Sequence, residues 1–249
     1  MSHFEEELMD LGIDLDIYFK KYQMLIKEVD QVFNKMKNDY PQEVKCDQGC
    51  TECCFALFDL SLVEALYLNK KFSDLDQDLR NSILIEADKT DRQINKIKKE
   101  LYKEHRQGVD QQEILKKASL VKSRCPLLID NICVLYDHRP ITCRLYGIPM
   151  NMGQVTATCS QSGFETGKEY PTVHMNKIHD RLVSLSRETA EAINTRYPEL
   201  YAMLVPVSMC ILTDYNKEYL GVKKDESDSA QRKASKDSPT REWVLGPKE

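Results

Sequence analysis

Eight of the nine cysteines in this chain fall into two groups, and the groups lie far apart along it. Cys46, Cys50, Cys53 and Cys54 crowd into one short stretch. Cys125, Cys133, Cys143 and Cys159 are spread over a later one, and Cys210 stands alone. No other feature restricts the fold so strongly. If the thiols act together, segments 46–54 and 125–159 must be neighbours, whatever the chain between them does. The compartment then decides their chemistry. In an oxidising environment such thiols form disulfides, whereas in the reducing cytosol they ligate metal or carry out redox reactions. The first residues, MSHFEEELMD, are acidic, and no apolar segment follows that would serve as a secretory signal. No apolar run approaches the roughly 20 residues of a membrane span. A cytoplasmic location is therefore expected, with no membrane partner. The net charge of -5 gives no reason to expect nucleic acid.

The rest of the sequence reads as helix. Leu15, Tyr18, Tyr22, Leu25, Val29, Val32 and Met36 recur at alternating spacings of three and four, which predicts an amphipathic helix ending before Pro41. An intramolecular partner for its apolar stripe is expected rather than a coiled coil. Ser61-Leu62-Val63-Glu64 is a capping box and predicts a short helix toward Asn69. Ser73 is expected to open a longer helix, carried by Leu75, Leu79, Ile83, Ala87, Ile94, Ile97 and Leu101 and stopping near Gly108. A further amphipathic piece spans 114–121, and a helix is expected from His174 to Tyr197. The run MLVPVSMCILT is either a strand or a helix with Pro206 in its first turn. Beyond Val222 the polar, charged sequence predicts a disordered tail. The expected fold is mainly α with a small β-hairpin, an irregular helical domain built around a cysteine-ligated metal or cluster site. Residues 1–222 form that domain, with a chelating core at about 44–160, and 223–249 form the tail.

Thiolates are soft ligands that favour zinc, copper(I) and iron–sulfur clusters. A helical turn through 50–54 would place Cys50, Cys53 and Cys54 on one face, and Gly49 would let the chain bend before it. Adjacent cysteines rarely both serve one ion, so one of Cys53 and Cys54 is open to a second centre. In CPLLIDNICVLY a hairpin is expected around Asp130 and Asn131. A three-residue loop, Ile129 to Asn131, is expected, pairing Leu127 with Cys133 and setting Cys125 and Cys133 on one face. A two-residue turn would separate them. Residues Arg139 to Arg144 predict a short helix with Pro140 in its first turn and Gly147 past its end, leaving Cys143 near the positive end of that helix. Cys159 closes the set. Arg124, Arg139 and Arg144 are expected to offset the thiolate charge, or alternatively to form an anion pocket. Tyr136 and Tyr146 are candidates to hydrogen-bond the sulfurs. His138 is expected to be an exposed turn residue, and His174 and His179 surface or core-contact residues. Cys210, inside an apolar run, is expected to be a buried free thiol.

The motifs CDQGCTECC at 46–54, CPLL at 125–128, then Cys133, Tyr136, Arg139-Pro140 and Cys143-Arg144-Leu145-Tyr146-Gly147 resemble the YkgJ-type cysteine-cluster family. That family is described as zinc- or iron-chelating, and the resemblance covers roughly residues 44–160. It implies only chelation by the eight grouped cysteines; Tyr136, Arg139 and Arg144, from their place among these cysteines, are expected beside the bound group. The expected cofactor is an iron–sulfur cluster or Zn2+, with the number of thiols inclining toward the cluster. A similar cysteine arrangement in flagellin lysine-N-methylase motivates an enzyme alternative, an iron–sulfur-dependent protein lysine methyltransferase. No protein partner is indicated.

Overall fold

The computed structural model describes residues 13–153 and 156–223. It is mainly helical, with seven α-helices and three small sheets among the described residues. Helix α1 (Asp16–Asp39) forms where the three-and-four spacing predicts it and ends at Tyr40, whose N–H reaches Met36 O. Its stripe of Phe19, Tyr22, Leu25, Ile26, Val29 and Met36 is buried within the same chain, against the other helices, so the intramolecular reading holds.

Helix α2 (Leu62–Ser73) starts on the expected capping box, with the Ser61 side chain and the Glu64 carboxylate each reaching the other's backbone. It runs past Asn69 to Ser73. Every residue from Leu62 to Leu68 is buried, because α2 packs at once against α1, the helix Met175–Ile193 and the helix Val207–Leu212. The long helix α3 (Gln77–Arg106) opens on Asp76 and not on Ser73. The Asp76 carboxylate accepts from the amides of Asp78 and Leu79, a capping geometry the shorter Ser73 forgoes by ending α2 instead. Helix α4 (Gln111–Leu120) follows after Gly108, whose φ of 89° reverses the chain.

The second cysteine group begins with the paired strands Leu128–Ile129 and Ile132–Cys133, followed by the short helix α5 (Ile141–Leu145). Helix α6 (Met175–Ile193) is shorter than expected, because Asn194 takes a left-handed cap with φ of 53° three residues before Tyr197. The ambiguous MLVPVSMCILT run is both of its alternatives in succession. Residues Leu204–Pro206 pair antiparallel with Asp59–Ser61, and Pro206 then caps the helix Val207–Leu212. That pairing, and a three-stranded sheet of Met150–Asn151, Thr156–Ala157 and Val173–His174, had no signal in the sequence pattern, each strand being only two or three residues long. Cys210 is fully buried, and its thiol donates to Ala65 O at 3.2 Å, as expected of a structural thiol. Among the described residues no helix is long and apolar enough to cross a membrane. The expected tail falls on residues outside those described, save Lys223.

Candidate metal centre

The two cysteine groups are joined backbone to backbone. A one-turn 3-10 helix, Glu52–Phe55, carries Cys53 and Cys54. Beside it the chain entering the second group runs antiparallel. Ala56 bridges Lys122, Ser123 N–H donates to Phe55 O at 3.1 Å, and Cys125 N–H donates to Cys54 O at 2.6 Å. A Lys122–Glu52 ion pair at 3.2 Å lies along the same seam. Further on, Gly163 N–H donates to Glu43 O at 2.8 Å, which hooks the loop carrying Cys159 to the segment just before Cys46.

Local turns aim the individual sulfurs. Cys50 N–H closes a turn on Asp47 O at 3.0 Å, and Gly49 supplies the required positive φ of 95°. The turn through 50–54 is not the α-helical one expected, since Cys50 lies outside the 3-10 helix and only Cys53 and Cys54 share it. The hairpin also departs from expectation. Asp130 and Asn131 both have positive φ, 48° and 60°, and form a two-residue turn that pairs Leu128 with Cys133 and Ile129 with Ile132. Aspartate and asparagine tolerate this left-handed backbone, so no third loop residue is needed. Cys125 and Cys133 nevertheless line one cavity. A turn at Pro126-Leu127, with Leu128 N–H on Cys125 O at 3.1 Å, lifts Cys125 off the strand line, so strand parity does not govern it. Cys143 sits in the middle of α5, whose first amide, that of Ile141, donates to the buried Glu64 carboxylate at 3.2 Å. Pro140 caps this helix from just outside it.

The sulfurs fall into two adjoining hollows. Cys54, Cys125, Cys133 and Cys143 line an inner cavity of about 40 Å³, and Cys46, Cys50 and Cys159 line an outer one of about 10 Å³. Cys53 borders both. All nine cysteines are free. Gly147 explains itself here rather than as a helix cap. A Cβ on it would stand 2.4 Å from Cys46 Cβ and 3.3 Å from Cys46 Sγ, so only glycine lets the second group lie flush on the first.

Burial raises most of these thiols above their ordinary value, Cys46 to about 11 and Cys125 to about 12. Three sulfurs receive a main-chain amide from two residues ahead, which opposes that rise: Leu127 on Cys125, Leu135 on Cys133 and Gln161 on Cys159, the last at 3.4 Å. Cys53 moves the other way. The thiols of Cys143 and Cys54 hydrogen-bond to it and hold it well below the usual thiol range, and those two are pushed up in consequence. Among these sulfurs Cys53 is therefore the one its surroundings most favour as a thiolate.

Neither protein-family models, nor curated proteins, nor solved structures give a match to the chain. The site is read from its own side chains.

Arg124 borders the inner cavity and lowers Cys125, but the cation with the wider reach over the sulfurs is Arg139. It lines the inner cavity, stacks on the Tyr136 ring with Cζ 3.6 Å from the centroid, and lowers Cys53 and Cys133 electrostatically. Arg144 does not face them. Its guanidinium is buried against Asp30 of α1 at 2.8 Å and donates to the carbonyls of Arg139 and Asp137, so it pins α5 to α1. Arg124 donates to Leu128 O at 2.9 Å and steadies the hairpin. Tyr136 serves Arg139, and Tyr146 borders the outer hollow. His138, expected to be exposed, is half-buried with Nδ1 3.0 Å from the Tyr67 hydroxyl, whereas His174 and His179 are exposed.

Two contributors escaped the sequence reading. Ser123 is buried at 8% exposure beside the inner cavity, and its hydroxyl has no hydrogen-bond partner among the described residues. No local pattern marks it. Glu64 was legible as a capping residue but not as the acceptor that also receives Tyr22 and Ile141. Among the described residues, no three or more His, Cys, Asp or Glu side chains stand close enough together to hold an ion as they are. Binding would have to draw the sulfurs inward by side-chain rotation.

Proposed function

We propose that the chain is a cysteine-thiolate metal-binding protein of the YkgJ-like kind, holding its metal with Cys46, Cys50, Cys53, Cys54, Cys125, Cys133, Cys143 and Cys159. The observation that carries this is the meeting of all eight sulfurs, free and from two remote segments, around two contiguous hollows. The donor set suits soft metals, and main-chain amides on three of the sulfurs are the outer-shell partners that thiolate ligands use. The bound metal would supply positive charge that lets the buried thiols ionise and would fasten segment 46–54 to segment 125–159. Structural zinc binding contributes roughly 10–16 kcal/mol in small peptides, comparable to the whole stability of a domain.

The same soft donor set suits either single Zn2+ ions or the iron–sulfur cluster expected from the number of thiols. The methyltransferase alternative rests on resemblance alone. Anaerobic purification of the full chain, followed by elemental analysis and an absorption spectrum, tests the proposal. Colourless protein with stoichiometric zinc supports the single-ion form, and brown protein with iron and sulfide supports the cluster form. Protein that takes up neither, with its thiols reduced, removes the proposal.

A further inference from the structure

We infer that the segment Trp243-Val244-Leu245 docks back onto its own chain, in the groove between α3 and the turn at Pro126. Residues 224–240 are polar or charged almost throughout, and Trp243, the only tryptophan of the chain, follows them with Val244 and Leu245 beside it. The segment lies outside the described residues. Three adjacent large apolar side chains in so polar a stretch gain by leaving water, and tryptophan is prominent among the side chains that anchor contacts of this kind.

The groove has the size and lining for them. It offers about 610 Å³, whereas the two cysteine hollows offer about 40 and 10 Å³, too little for an indole. A cleft of about 400 Å³ beside Asp30 is walled instead by charged side chains, Lys37, Asp47 and Asp137 among them. The floor of the groove is apolar, made by Ile83 of α3 with Pro126 and Ile129. Ile85, on the same wall, is 60% exposed, a large aliphatic side chain left in water beside a concave surface. The rim carries both signs, Glu86 and Asp130 against Lys89 and Arg124. So does the segment, with Arg241 and Glu242 before the apolar residues and Lys248 and Glu249 after them. A partner of one sign would meet like charge on this rim, whereas a segment bearing both can pair at either end.

Reach is no obstacle. The described chain leaves at Lys223, whose N–H donates to Asn194 O. Residues 224–242 span up to about 65 Å when fully extended. A folded chain of this length has a radius of gyration of about 18 Å, so every face of the molecule is in range. Covalent attachment also raises the local concentration of the segment, which favours the chain's own groove over that of a second copy. The groove borders Cys125, so the docked segment covers the outer side of the second cysteine group, whatever the cysteines hold.

Trp243 supplies its own probe, since no other indole emits. In the reduced full chain its fluorescence is expected to be blue-shifted from that of the urea-unfolded chain, shielded from acrylamide and independent of protein concentration. Ile85→Asp is expected to move emission and quenching to the values of the unfolded chain, while Ile17→Asp, at a likewise exposed position on α1, leaves them unchanged. Hydrogen exchange serves if Ile85→Asp does not fold. Trp243→Ser, a change outside the described residues, is expected to speed exchange in residues 82–93 and 124–130. Wild-type emission equal to that of the unfolded chain overturns the inference, as does unaltered exchange in Trp243→Ser. A blue shift that survives in folded Ile85→Asp places the segment elsewhere, and one that vanishes on dilution assigns it to a second copy; either result overturns it too.

Discussion

Gly147 shows how much a single residue decides at this site. The chain needs no left-handed backbone there, but it needs the space. Replacing the glycine with alanine drives a Cβ to 2.4 Å from Cys46 Cβ, and the neighbouring Phe33 ring, 3.4 Å away, blocks easy retreat. Gly147→Ala is expected to destabilise the protein by about 1–3 kcal/mol, the usual range for forcing a methyl into a filled space. It is also expected to weaken metal binding, since the clash displaces Cys46. Urea unfolding and metal titration of the variant check both; wild-type stability and affinity would show that Cys46 can move aside freely. The arginines teach the complementary lesson. In the sequence, Arg124, Arg139 and Arg144 look equivalent beside the cysteines. In the fold Arg144 is taken up by Asp30 and two carbonyls, and Arg139 alone among the three both faces the sulfurs and has a ring behind it.

Among the elements, the junction of α1, α2 and α5 is held by one carboxylate. Glu64 Oε2 accepts from the Ser61 amide and hydroxyl, and Oε1 accepts from the Ile141 amide and the Tyr22 hydroxyl, both at 3.2 Å. The same side chain therefore starts the central helix and holds the N-terminus of the helix that presents Cys143. Burial raises its pKa in spite of these bonds. Glu64→Gln keeps the shape but turns one of the two acceptors into a donor facing donors. It is expected to cost about 1–3 kcal/mol, the penalty for leaving buried groups unpaired, and to loosen metal at Cys143. Thermal or urea unfolding measures the first and metal competition the second; a variant as stable as wild type would mean that the Glu64 network is dispensable. The capping box was visible in the sequence because its spacing is local. Its second task was not, because Tyr22 and Ile141 reach Glu64 from opposite sides in sequence and are brought there only by the fold.

For the whole molecule, the consequence of gathering so many buried thiols is a dependence on pH and on metal. Cys46 and Cys125 have folded pKa values raised to about 11 and 12, against about 8.5 in an unfolded chain. Their contribution to stability is therefore full below about pH 8.5 and is lost as pH rises toward those folded values, where the unfolded chain has released protons that the folded chain still holds. Chelator-treated, reduced protein is expected to lose stability progressively above about pH 8.5, by about 1.4 kcal/mol for each unit by which a thiol's ionisation is deferred. Metal-loaded protein, its thiols already ionised, is expected to resist this range and to lose metal on acidification instead. Denaturant unfolding of both forms across pH 7 to about 11 decides the matter; coincident curves would contradict the scheme.

Local patterns in the sequence determined the helices, the capping box, the buried Cys210 thiol and the eight cysteines as the residues of interest. Helix periodicity, caps and soft donors all act over a few residues, so they can be read without knowing the fold. Only the tertiary structure decided which sulfurs face which. The seam between Cys54 and Cys125 joins segments with three helices between them, and the Pro126 turn undoes a face assignment made from strand parity alone. Contacts of this kind depend on how distant stretches settle against one another, and no local periodicity carries that information.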